Sequence, residues 1–107
     1  MTKRTGTPGA DDILREELAN GLILLARKNE SSRTAVISAF IPGGDMTNPR
    51  GKEGLSGLMA SLLTSGTGTR DDQAISSFLE TIGASIAFSS GMHGLSMRIS
   101  CLAEDFD

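Results

Sequence analysis

The chemically capable residues in this chain are few. It holds one histidine, His93, and one cysteine, Cys101. A lone imidazole makes no zinc site, and His93 stands in the glycine-rich stretch SSGMHG, where an exposed turn residue is expected. A single cysteine excludes an internal disulfide and a cysteine-rich metal site. Its alternating apolar surroundings predict a buried, inert thiol. Paired acids occur at Asp11-Asp12 and Glu16-Glu17. General acid–base work needs a pocket to tune such groups, whereas a tail and an exposed strand leave them solvated. Ser31-Ser32 and Ser89-Ser90 have no histidine and aspartate partners that would make either a nucleophile. The glycines of IPGGD and SGTGT lack the G-x-x-x-x-G-K-[ST] spacing and the lysine of a phosphate loop.

The most informative stretch is GLSGLMASLLTSGT, Gly54 to Thr67. Leu55, Leu58, Met59, Leu62 and Leu63 fall at i, i+3, i+4, i+7 and i+8, one face of a helix. The opposite face holds only Gly57, Ala60 and Ser61, beside Ser56 and Thr64. That face can neither bind a metal nor move a proton. One reading is a helix packed closely on a neighbouring sheet or helix through its small side. The other is a site whose working residues have been replaced.

The chain of 107 residues suits one small domain with a single core. Its four aromatic residues are all phenylalanine, so stacking on bases or sugars has little to work with. A net charge of −3, with basic residues scattered and the densest run (Lys3-Arg4) at one end, excludes a clustered phosphate-binding face, so no nucleic acid is expected. No run approaches the roughly 20 apolar residues of a membrane span. MTKRTGTPGADD has no apolar segment behind its positive charges, which points to the cytoplasm, or to the periplasm or outside if a leader has been removed.

Residues 1–11, rich in Thr, Gly, Pro and charge, read as a flexible lead-in to a domain over residues 12–107. Asn20-Gly21, flanked by apolar-rich segments, predicts a two-residue hairpin turn. A strand follows over Thr34 to Ile41, closed by Pro42-Gly43-Gly44. DMTNPRGKEG leads into the first helix, with Pro49 near its start. In the second, Thr69 is the expected N-cap, and Asp71 and Asp72 favour the first turn. Ala74, Ile75, Phe78, Leu79 and Ile82 form its buried face and Gly83 its stop. Ile86 and Phe88 share one face of a strand; Leu95, Met97, Ile99 and Cys101 share another after a turn, with Ser96, Arg98 and Ser100 pointing away. The order predicts an α+β fold, a largely antiparallel sheet with helices on one face. CLAEDFD reads as the opening of a third helix, so the chain is expected to be an incomplete piece of a longer domain.

Three segments together resemble a known family. They are LANGLILLARKN, AFIPGGDMTNPRGKEGLSGLMASLLTSGT and ISSFLETIGASIAFSSGMHGLSMRISCLAEDF. They are similar to the N-terminal half-domain of the insulinase, pitrilysin and mitochondrial processing peptidase family of inverted zinc peptidases. The resemblance runs from about Leu14 to the last residue. Its most specific elements are the L-x-N-G-L turn (Leu18, Asn20, Gly21, Leu22), the G-K-x-G-L stretch (Gly51, Lys52, Gly54, Leu55) and Gly66-Thr67.

In catalytic members of that family the first helix carries H-x-x-E-H, two zinc-binding histidines and a glutamate general base. The resemblance places these at Gly57, Ala60 and Ser61, where all three are replaced. It therefore implies a non-catalytic homologue with no cofactor of its own (zinc in active relatives). Such a chain would help close a peptide-binding chamber with an active zinc-peptidase paralogue or a second half of the same chain. A peptide would add to a sheet edge, expected along Ala35, Ile37, Ala39 and Ile41, with the Gly57/Ala60/Ser61 face lining the chamber. Two alternatives stand beside this: an active zinc metalloendopeptidase whose ligands lie beyond residue 107 or in another half, and a non-enzymatic interaction module. An uncovered apolar edge or face also predicts self-association of the 107-residue piece.

Overall fold

The computed structural model describes residues 9–106. The chain divides into two compact units, residues 1–32 and 33–107. Residues 1–8 of the expected lead-in lie outside the described residues. Its remainder enters a 3-10 turn, Ala10–Asp12, where the Asp12 carboxylate accepts from the Gly9 amide at 3.2 Å.

The first unit is an antiparallel hairpin of β1 (Leu14–Glu17) and β2 (Ile23–Ala26), with Glu17 opposite Ile23. The Leu18 amide donates to the Leu22 carbonyl at 2.8 Å, so the turn spans Ala19-Asn20-Gly21 and is one residue longer than expected. Asn20 Oδ1 accepts from the Leu22 amide at 3.1 Å, and Gly21 takes the left-handed conformation, φ +83°.

The second unit holds β3 (Thr34–Pro42), α1 (Leu55–Leu62), α2 (Asp72–Ile82), β4 (Ser85–Ser90) and β5 (Gly94–Leu102). The three strands form one antiparallel sheet in the order β3-β5-β4. The fold is α+β and antiparallel, with its strands in two sheets. Register puts Phe88 opposite Met97, Ile86 opposite Ile99 and Ala35 opposite Cys101. The two apolar rows expected on separate faces therefore share one, and on it Ile86, Phe88, Leu95, Met97, Ile99 and Cys101 are half-buried. The other face carries Ser38, Phe40, Ala87, Ser89, Ser96 and Arg98.

A short lock joins sheet and helix. After β3 the chain makes a 3-10 turn, Gly44–Thr47, pinned to the β4–β5 turn by three backbone bonds. Gly43, Asp45 and Met46 amides donate to the carbonyls of His93, Gly91 and Met92 at 2.9, 3.0 and 3.1 Å. Gly44 has φ +78°, and a Cβ there would collide with the Gly91 carbonyl and the Gly94 amide, so only glycine fits. Ser56 Oγ then ties the same segment to α1, lying 2.9 Å from Asp45 Oδ1 and 2.6 Å from Asn48 Oδ1.

The helices differ from expectation in three ways. Helix α1 starts at Leu55, six residues after Pro49, which was expected near its start, because Gly51 and Gly54 both take positive φ. Helix α2 is capped by Asp71, whose Oδ1 accepts from the Ala74 amide at 2.8 Å. Thr69 is instead part of a turn in which Thr67 Oγ1 accepts from the Thr69 and Arg70 amides. The half-buried row of α2 is Ile75, Leu79 and Ile82, while Ala74 and Phe78 are exposed and Arg70 stacks over the Phe78 ring at 5.1 Å.

Candidate functional site

Helix α1 is the element to which the resemblance assigns the family's chemistry, and it turns its small side inward. Ala60 and Ser56 are 5% and 7% exposed, whereas Leu58 and Leu62 are 58% and 56% exposed. Leu55, Met59 and Leu63 are exposed with them. Of the two readings of this helix, one put the small residues along a cleft and the other packed the helix closely on a neighbour through its small side. The packed arrangement is the one found, with Ser56, Ala60 and half-buried Thr64, at i, i+4 and i+8, making the inward stripe. Small side chains allow α1 to approach β4 and the 3-10 segment closely, and it packs against both. Ser56 fixes the rotation, since its hydroxyl reaches Asp45 and Asn48 only from this side.

The three positions of interest are thereby separated. Ala60 is buried against the sheet, while Gly57 and Ser61 lie on the exposed flank, one turn apart. A Cβ added at Gly57 meets nothing within 4 Å. Ser61 Oγ donates to the Leu58 carbonyl at 2.7 Å, within its own helix. On the inward face of β4, Ser90 Oγ is buried without a hydrogen-bond partner.

The sheet sets the possible peptide edges. Among the described residues, β3 and β4 each pair only with β5, so each presents a free edge. Ala35, Ile37, Ala39 and Ile41 lie on β3, which β5 separates from β4. Helix α1 packs on β4, so the predicted edge and the Gly57/Ala60/Ser61 helix are at opposite sides of the sheet.

The other candidates fall apart as a site. His93 is an exposed turn residue whose carbonyl accepts from the Gly43 amide. Cys101 is a free, half-buried thiol opposite Ala35. Glu17 makes an exposed 3.9 Å contact with Arg15. Among the described residues no three His, Cys, Asp or Glu side chains are placed to hold a metal ion. No helix there is long and apolar enough to cross a membrane. The Asp45–Asn48–Ser56 cluster was not foreseen; it joins residues 8 and 11 positions apart, and no short motif announces it.

An antiparallel sheet whose edge strand carries a short helix, entered through a glycine-rich loop, is an α+β arrangement compatible with an incomplete half-domain. Residues 23–107 match the family model described as insulinase (peptidase family M16), and the chain belongs to that family. No curated protein sequence matches the chain. The zinc that the family implies does not fit the residues present on α1. Gly57 and Ala60 offer no donor atom, and the Ser61 hydroxyl is engaged by its own helix.

Proposed function

We propose that this chain is a non-catalytic member of the insulinase family that shapes a peptide-binding chamber without cutting. The observation that carries this reading is the composition of α1, LSGLMASL. It keeps its place on an edge strand yet has no imidazole or carboxylate at positions 57, 60 and 61. Peptide hydrolysis by the family's route needs a cation to lower the pKa of water from about 15.7 to about 7 and a base to take its proton. Neither function has a side chain on this helix. An active zinc-peptidase paralogue, or a second half of the same polypeptide, would supply both.

An extended peptide would bind by adding a strand to the sheet, its main chain supplying affinity and its alternate side chains specificity. The geometry favours the β4 edge, because β4 is the strand beneath α1. A peptide on the β3 edge, along Ala35 to Ile41, would run two strands away from that helix. The exposed leucine row of α1 offers a surface for the covering layer, supplied by the partner or by a second copy in self-association.

The test is reconstitution. The chain is mixed with a zinc-binding paralogue and cleavage of a quenched fluorescent peptide is followed. Turnover should rise with added chain and level off at stoichiometry. Cleavage that ignores the chain would refute the accessory role. Stoichiometric zinc on the purified chain, with chelator-sensitive turnover, would favour an active enzyme instead.

A further inference from the structure

The face of the sheet away from α1 carries one arginine in a setting of small side chains. Arg98 lies on the central strand β5, with Ser38 of β3 and Ala87 of β4 directly opposite it on either side. With Phe40, Ser89 and Ser96 these residues border an open hollow of about 570 Å³. Register assigns thirteen positions of the three strands to this face, and none of them is acidic. Among the described residues Arg98 has no ion-pair partner. A guanidinium presents five donors in a planar fork suited to a carboxylate, and the Ser89 and Ser96 hydroxyls beside it can donate as well.

We infer that Arg98 makes the β4 edge selective for a peptide with an acidic residue beside Ala87; this rests on the edge-binding reading above. Adjacent strands lie about 4.8 Å apart, so the peptide residue in line with Ala87 and Arg98 is about 10 Å from the Arg98 backbone. An extended arginine and an extended glutamate close that span from its two ends. Only the Ala87 methyl stands between them, and a larger residue there would block the approach. Side-chain alternation puts the acid on the Arg98 face and its two neighbours on the face of Ile86 and Phe88, where apolar residues fit. The recognised ligand is an extended segment with one glutamate between apolar or β-branched residues.

The experiment uses the full chain and three labelled peptides, rich in threonine and valine and identical except for a central Glu, Gln or Lys. Binding is read by fluorescence anisotropy. The Glu peptide should bind tightest, up to about fivefold better than the Gln peptide, as for exposed ion pairs, and the Lys peptide weakest. The gap should narrow in high salt. Arg98→Glu, an exposed change, should reverse the order, and Ala87→Leu should abolish the preference while the Gln peptide still binds. Equal binding of the three peptides, or a Glu preference that survives Arg98→Glu, overturns the selectivity and leaves edge binding standing. If none of the peptides binds, edge addition itself fails and the selectivity falls with it.

Discussion

Placing histidines at Gly57 and Ser61 tests where α1 presents its flank. Gly57 and Ser61 are exposed and one turn apart, about 6 Å along the helix axis. Histidines at both positions would project side by side. At Gly57 the added Cβ meets no atom within 4 Å, and helix propensity rises by a few tenths of a kcal/mol. Ser61→His loses only the hydroxyl bond to the Leu58 carbonyl. The Gly57→His, Ser61→His double variant should therefore fold and gain a two-imidazole site for zinc. At a zinc concentration 100 times its Kd, binding stabilises the folded chain by about 2.7 kcal/mol. For a domain of this size that corresponds to about 10–20 °C in Tm, read by thermal circular dichroism with and without zinc. The gain should disappear below about pH 6, because imidazole must be neutral to bind metal. Either single variant, and the unaltered chain, should shift far less. A single variant that matches the double, or an unaltered chain that shifts equally, would refute the paired exposed geometry.

Ala60→Glu, which would restore the family's carboxylate position, puts a charge where the side chain is 5% exposed. It should cost about 3 kcal/mol or more, seen as a loss of Tm or of soluble expression. Asp71→Ala removes the cap on the Ala74 amide and should cost about 1 kcal/mol in chemical denaturation, with Asp71→Asn nearly neutral. Ser90→Ala deletes a buried hydroxyl that has no partner and should raise stability by up to about 1 kcal/mol. Leu58→Asp with Leu62→Asp should leave the fold intact, since both side chains are more than half exposed, and should abolish concentration-dependent association in light scattering.

Much of this architecture was legible because alternation and turn chemistry are local. Asn20-Gly21 marked the hairpin, Pro42-Gly43-Gly44 the end of β3, and Gly83 the end of α2. The Ser96, Arg98, Ser100 row was separable from Leu95, Met97, Ile99 and Cys101 by period alone. For α1 the sequence offered both rotations and could not choose between them. Periodicity finds its two faces, but burial inside is decided by how near the neighbour comes. A close approach to β4 and the tie from Ser56 favour the small stripe over the leucines. The cap of α2 was ambiguous for another reason. Thr69 and Asp71 both suit that role, and the Thr67 hydroxyl, by bonding the Thr69 and Arg70 amides, draws the preceding residues into a turn and leaves the first helical turn to Asp71. For the site, the composition of α1 could be read directly, whereas the separation of β3 from α1 depended on strand order, which no single-strand pattern encodes.

The lock between the His93 turn, the Gly44–Thr47 segment and Ser56 has a mechanical consequence. Three main-chain bonds at one end and a hydroxyl clasp at the other leave no slack joint between hairpin tip and helix. A molecule that tilts the tip would turn the whole lever.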